Sequence, residues 1–337
     1  MKGAKGEARI MARARGISSE EIHAKPITVI DFETTGLTPG LDRVIEVSVA
    51  RIEPGERGQV VFDTLVNPMR PVAATEIHGI TDKDVKNAPK FEEIVGDLMH
   101  WLSGSVVASY NVYFDIKFLS YELARAGVQA VPPHFCLMYM RPLLGLGSRC
   151  RLNEACKHHE IEITQGHVAG HDVQAATGLL EYYLATFHER GIRTYRDLAA
   201  LKKYKFMKSF SNPFLPGPDR LKLSRSGATL SRYRSAPSSS SAQSTETRQA
   251  PKPLKEYWDA LTVVLADLEI GFDELAHLQE LEKSLGLEYE QIRCLHARAF
   301  TGALANFIDD EWLDDSEAAT LRKLHSCLST LGWAPGE

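Results

Sequence analysis

The sequence predicts an α/β domain, a mixed sheet flanked by helices, followed by a small all-α C-terminal bundle. Three observations predict it. Three β-type runs come early and close together. Later runs alternate helix and strand. Four amphipathic segments then follow a Ser-, Pro- and Ala-rich stretch, "RYRSAPSSSSAQSTETRQAPKP". An antiparallel meander continued by alternating helices and strands gives a mixed sheet with helices on its faces.

Taken in order, residues 1–25 read as a flexible leader. "MKGAKGEARIMARARGISSEEIHAKP" begins basic and has no apolar run of the secretory-signal kind. The α/β domain is expected over residues 26–200. "ITVIDFE" is a β-branched run suited to a central strand, "RVIEVSVARIE" alternates as a strand does, and "QVVFDTLVNP" follows. "FEEIVGDLMHWL" spaces Phe91, Ile94, Val95, Leu98 and Leu102 along one helical face. "SVVASYN" is another short strand and "YFDIKFLSYELARAG" a helix closed by Gly127. "FCLMYMRPLL" leads from a strand edge into a helix, and "HDVQAATGLLEYYLATFHERG" is a long amphipathic helix. Residues 201–253 read as linker, basic first and then Ser/Pro-rich. Residues 254–337 carry the four helical segments. There Leu275, Leu278, Leu285 and Gly286 recur 46 residues later as Leu321, Leu324, Leu331 and Gly332, which suggests two matching helix pairs.

The bulk numbers bound the function. With 337 residues, 44% hydrophobic and 25% charged, the chain has the composition of one large or two ordinary globular domains. Its apolar runs are too short to span a bilayer, so no membrane partner is expected. The five cysteines are odd in number and form no CxxC pair, so neither a disulfide framework nor a structural zinc site is signalled. A reducing cytoplasm is the expected compartment. Charge is unevenly spread. From Pro251 onward 7 basic residues face 17 acidic ones, a net −10, while the rest has 32 basic against 27 acidic, a net +5. The two parts should have different partners.

The chemistry starts at "VIDFETTG". Asp31 and Glu33 lie two residues apart, and positions i and i+2 of a strand share a face. Two carboxylates beside an apolar run are costly unless something positive meets them. With no Lys or Arg beside them in sequence, they suggest a cation that is not a side chain. Two further isolated acids stand next to apolar runs. Asp115 in "SYNVYFDIKFL" and Asp172 in "GHVAGHDVQAATGLL" both sit where a helix starts. Each by itself reads first as a helix cap or dipole partner.

The combination resembles a known family. "DFETTG" with Asp31 and Glu33, "EIHGIT" with His78, Gly79 and Ile80, "NVYFDIKFL" with Asn111 and Asp115, and "HVAGHD" with His167 and Asp172 occur in this order. This is similar to the DEDDh exonucleases, the family of the proofreading epsilon subunit of bacterial DNA polymerase III. The resemblance covers roughly Ile27 to Thr186. It implies a ribonuclease H-like fold and 3′→5′ hydrolysis of a nucleic acid strand with two divalent cations, Mg²⁺ or Mn²⁺. It implies that Asp31, Glu33, Asp115 and Asp172 hold the cations, with Asp31 shared by both. His167 becomes the general base, and the backbone from Thr34 through Thr35 and Gly36 to Leu37, with the His78-Gly79-Ile80 turn, grips the terminal nucleotide. Ile80 and Leu37 would touch its base, beside Asn111 and Phe114. The residue types suit the chemistry. Hard cations take oxygen ligands, and a pair of them can clamp the attacking and leaving oxygens of an in-line displacement. A histidine that titrates near neutrality can accept a proton. Many relatives have His where this chain has Tyr110, a position that is not a ligand in the pattern.

Two regions remain. Between Lys202 and Arg234 there are nine basic residues and one acid, Asp219, with Tyr204, Phe206, Phe210, Phe214 and Tyr233 interleaved. Such a segment either binds a single strand by charge and stacking or is a solvated linker. The helical tail is weakly similar to TerB-like modules over about Leu254 to Trp333, which makes residues 254–337 an expected interaction domain. Being acidic, it should repel DNA and bind a protein. The expected function is metal-dependent 3′→5′ hydrolysis of single-stranded DNA in repair or proofreading. The alternatives are an RNA exonuclease of the same family and a non-catalytic strand-binding adaptor.

Overall fold

The computed structural model describes residues 16–36, 39–40, 42–72, 75–161, 169–225, 253–265, 268, 270–307 and 315–334. Five strands form one sheet: β1 (Ile27–Thr34), β2 (Val44–Ile52), β3 (Gln59–Leu65), β4 (Val106–Ser109) and β5 (His134–Cys136), in the order β3-β2-β1-β4-β5. β1, β2 and β3 are an antiparallel meander, while β4 runs parallel to β1 and β5 parallel to β4. This is the ribonuclease H-like order.

The position of β1 explains its composition. A strand paired on both edges and covered on both faces must be apolar nearly throughout. Every residue of β1 is buried except Asp31, which is partly exposed near the C-terminal end. A register shift between Glu33 and Thr34 ends the regular pairing with β2. The chain can therefore turn away where the acids lie.

Helices flank the sheet: α1 (Thr75–His78), α2 (Asp82–Val85), α3 (Phe91–Leu102), α4 (Val112–Arg125), α5 (Leu137–Leu143), α6 (Leu152–His158), α7 (Ala169–Glu189), α8 (Tyr195–Leu201) and α9 (Pro218–Leu221). α7 packs across β1, β2 and β3. The predicted stripe of α3 is the buried one: Phe91, Ile94, Val95, Leu98 and Leu102 all lie in the core. Gly127 closes α4 with φ of +83°, the left-handed region that a glycine enters without strain.

Two sequence boundaries need correction. The leader was expected to run to residue 25, yet Ile17 and Ile22 are fully buried in the main core. The Ser18 hydroxyl donates to the Phe210 carbonyl and the Ile22 amide to the Arg193 carbonyl. Residues 1–15 lie outside the described residues. At the other end, the expected linker begins as part of the domain. Phe206, Phe210 and Leu215 are core residues, and Tyr204 stacks at 5.9 Å on Phe206. These aromatics fill the space beside Tyr113, Tyr139 and Tyr195 rather than facing a strand. Tyr233 and the Ser/Pro-rich stretch lie outside the described residues.

Among the described residues the tail folds as four helices, α10 (Pro253–Val264), α11 (Phe272–Leu285), α12 (Tyr289–Phe307) and α13 (Asp315–Thr330). The sequence echo has a structural counterpart. Gly286 and Gly332 both take left-handed φ values, +62° and +78°, after α11 and α13. Each is followed by a residue whose amide reaches back five positions, Leu287 to the Glu282 carbonyl and Trp333 to the Leu328 carbonyl. That is one helix-ending motif used twice. Among the described residues, no helix is long and apolar enough to cross a membrane.

Candidate active site

The turn after β1 is tightly specified. The Thr35 hydroxyl donates to Asp42 at 3.0 Å and accepts from the Arg43 amide at 3.1 Å, and the Thr35 amide donates to the Arg43 carbonyl at 2.9 Å. Thr34 donates to the Gly36 carbonyl. A Cβ on Gly36 would lie 2.3 Å from the Asp42 carboxylate, so glycine here lets that side chain close onto the turn. Arg43 in turn forks onto buried Glu122 of α4 at 2.6 and 2.9 Å, tying the turn to that helix.

Asp31, Glu33 and Asp172 bring carboxylate oxygens within 4.8 Å of one another. Asp31 and Glu33 project from β1, and Asp172 enters from the first turn of α7. Asp115, 3% exposed in the first turn of α4, faces the same cavity. Its carboxylate accepts from the Phe32 amide at 3.2 Å and from the Ser109 hydroxyl. It is thus fixed to the backbone of β1 and is not merely a helix cap.

The electrostatics are those of crowded acids. Burial pushes the Asp115 carboxyl up to about 7, against the pull of its hydrogen bonds from Ser109 and Phe32. Burial first, and then the carboxylates of Asp115, Asp172 and Glu33, hold Asp31 well above the usual carboxylate range. Like charges gathered in a low-dielectric pocket oppose one another's ionisation, and a cation among them reverses that. An all-oxygen donor set with no sulfur suits a hard divalent ion such as Mg²⁺ or Mn²⁺. The residues therefore fit such an ion.

Most of the expected contact residues border one cavity of about 280 Å³. Thr34, Gly36, His78, Asn111 and Phe114 line it with the four acids. The Asn111 side-chain oxygen is buried with no hydrogen-bond partner among the described residues, an acceptor open to a ligand's donor. Buried His78 accepts from the Ile80 amide at 3.1 Å through Nδ1. Ile80, expected against a base, is fully buried with Ile45, Leu65 and Val85, so it supports the turn from beneath. Gly79, exposed with φ of +72°, lets the chain reverse there. Tyr110 is buried, and its hydroxyl donates to the Cys150 carbonyl at 2.5 Å. The expected base His167 and the expected contact Leu37 lie outside the described residues.

The sequence reading missed the other wall. Lys255 of α10 is buried and places Nζ 3.3 Å from Glu33 and 3.7 Å from Asp259. The carboxylates of Asp259, Glu33, Asp172 and Asp31 outweigh its burial and hold it charged. The acids do meet a side-chain cation, one supplied from over two hundred residues away. Arg298 of α12 donates to the Thr35 carbonyl at 2.8 Å and lies over the Trp258 ring. Trp258, Asp259 and Thr262 complete the roof. A signal existed in "PKPLKEYWDAL": Lys255 stands on the turn that holds Trp258 and Asp259. The acidic balance of the tail concealed it.

The family model described as Exonuclease (RNase_T) matches residues 28–180. The DNA polymerase III PolC-type protein of Bacillus subtilis is 33% identical over 175 residues, which cover 50% of this chain and 12% of that protein. A DNA polymerase III subunit epsilon-like protein of Rhodobacter capsulatus is 43% identical over 95 residues, covering 27% of this chain and 14% of its own. The chain thus spans about an eighth of the length of the curated relatives it matches. Among solved structures, E. coli Exonuclease I in complex with a dA16 oligonucleotide has a TM-score of 0.43 and 20% identity, over 52% of this chain and 45% of that one. All four acids and, but for Ile27 at the start of β1, every strand of the sheet fall inside the matched span, so residues 28–180 are similar to an exonuclease-family domain.

Proposed function

We propose that the chain is a divalent-metal-dependent 3′→5′ exonuclease acting on single-stranded DNA, in repair or proofreading. One observation carries the reading: oxygens of Asp31, Glu33 and Asp172 converge within 4.8 Å beside Asp115, in a cavity at the end of β1. The match of residues 28–180 to the exonuclease family model supports it.

In this reading Asp31, Glu33, Asp115 and Asp172 hold two divalent ions, Mg²⁺ or Mn²⁺. The ions, when bound, supply charge stabilisation to the oxygens of an in-line displacement at phosphorus. The chain does the rest. His167 accepts a proton from the attacking water, and the hydrogen bonds of Asp115 to β1 and β4 fix one ligand before any ion arrives. The Thr34-Thr35-Gly36 turn, His78 and Asn111 position the terminal nucleotide, and Phe114 gives an apolar surface in the same cavity.

The deciding experiment uses matched DNA and RNA oligonucleotides labelled at the 5′ end, with Mg²⁺ or Mn²⁺. The expected outcome is a DNA ladder shortening from the 3′ end. A ladder from RNA alone would make this an RNA exonuclease, and no shortening of either strand would favour a binding adaptor.

A further inference from the structure

The C-terminal bundle meets the exonuclease domain on the face that holds the acids, and charged pairs carry much of the contact. Lys255 places its ammonium against Glu33 at 3.3 Å. Beside the cavity, Glu256 pairs with Arg151 at 2.8 Å and Glu274 with Arg149 at 2.6 Å. A cation from the bundle lies among the acids, and two of its carboxylates lie on the two arginines that lead into α6. A strand end carrying a metal ion presents the same pattern, phosphate oxygens on guanidinium groups beside a cation among carboxylates.

We propose that the bundle is a displaceable cap that occupies the strand-binding face by charge mimicry. Lys255 sits in place of a divalent cation, and Glu256 and Glu274 sit in place of two backbone phosphates. Arg149 and Arg151 are then phosphate-binding residues of the open enzyme. This rests on the metal-dependent nuclease reading above.

Two features make the cap removable. The arginine pairs are partly exposed, Arg149 and Arg151 at 12% and 18% and their partners at 20% and 34%. Contacts of this kind are weak singly and screened by salt, so a polyanion with a divalent ion can compete. The bundle also keeps its own core when it leaves. Tyr257, Ala260 and Leu261 of α10 pack with Leu278, Leu281, Ile292 and Leu295, whereas Val263 is its contribution to the domain core. The opposite arrangement, a bundle that completes the cleft and grips the strand, predicts that oligo-dT slows exchange in α10.

The test uses the full chain, Mn²⁺ binding followed by electron paramagnetic resonance, and hydrogen exchange of residues 253–264. Lys255→Met keeps the buried stem and removes the charge. It should bind Mn²⁺ about tenfold more tightly, since one like charge leaves the pocket. Mn²⁺ should speed exchange in α10 of the unsubstituted chain, and an oligo-dT strand should speed it further. Glu256→Gln with Glu274→Gln should bind oligo-dT more tightly. Arg149→Gln with Arg151→Gln should bind it more weakly, although the cap is loosened there too. Unchanged or weaker Mn²⁺ binding by Lys255→Met, or α10 slowed by oligo-dT, would overturn the proposal. A chain that binds Mn²⁺ and frees α10 but leaves oligo-dT uncut keeps the cap and loses the exonuclease reading. One that cuts oligo-dT with α10 still protected keeps the nuclease and loses the cap.

Discussion

The two walls of the cavity are built differently. The floor belongs to a contiguous core that runs from Ile17 to Leu215, with the acids standing on its central strand and on α4 and α7. The roof belongs to a bundle whose apolar residues divide into two small clusters, one around Leu261 and Leu278 and one around Leu324 and Leu328. Its ties to the floor are largely ionic. A deep core holds ligands to fractions of an ångström but cannot move without unfolding, whereas a small, charge-docked unit can leave and return. The floor is therefore suited to chemistry and the roof to control.

The largest expected effect sharpens the floor side. Asp31→Ala should lower nuclease activity about ten-thousandfold, more than about 5 kcal/mol of transition-state stabilisation. It should not lower thermal stability, because removing a carboxylate raised by its neighbours relieves repulsion. A melt and a labelled-strand assay on one preparation check both halves. In the same assay His167→Ala should lose far more activity than His171→Ala, the second histidine of HVAGHD, which the sequence assigns to the start of the helix. An Asp31→Ala chain that cuts at the unsubstituted rate would remove the site from the floor altogether.

Next comes the extent of the floor. Phe210 is 2% exposed and packs at 5.1 Å on the Tyr195 ring. Phe210→Ala should cost about 3–5 kcal/mol in urea unfolding, the usual cost of a large cavity. If it instead left stability alone and weakened strand binding, the stretch after residue 201 would be the stacking surface that its composition suggests.

That stretch shows where the sequence was legible. The strands of the meander, the stripe of α3 and the four acids could all be read, because strand alternation, helical spacing and the DFETTG frame are local signals. Basic residues interleaved with aromatics are not a local signal of burial. Lysine heads reach water while Phe206 and Phe210 turn inward, and only the pocket beside Tyr113, Tyr139 and Tyr195 decides between the two. Ile17 and Ile22 were illegible for the same reason, since two isoleucines in a polar segment carry no period. Lys255 could not be assigned because its partner Glu33 is 222 residues away. A net charge of −10 says nothing about which one cation is buried.

A smaller effect separates the roof from the floor by pH. Burial lowers the His296 imidazole to about 4, and its ring lies 2.9 Å from the Tyr257 hydroxyl. A histidine held below its unfolded value of about 6.5 is neutral in the fold, so its contribution is complete above that pH and is lost as pH falls toward about 4. The bundle should lose roughly 3 kcal/mol across that window. Hydrogen exchange of α12 at pH 7 and pH 4.5 reads this, and His296→Phe should flatten it. A bundle equally protected at both values would mean that the roof is as firm as the floor.

The smallest effect tests how the roof is fastened. Arg149 and Glu274 meet at 2.6 Å, yet both are partly exposed, so Glu274→Gln should weaken docking by under about 1 kcal/mol. Its signature is salt dependence rather than size. At low ionic strength α10 should exchange faster in Glu274→Gln than in the unsubstituted chain. At roughly 1 M salt, where the screening length is about 3 Å, the two should converge. A difference that persisted at high salt would show that packing and not charge holds the roof down. The bundle would then be a fixed part of the floor, and Lys255 a permanent resident among the acids.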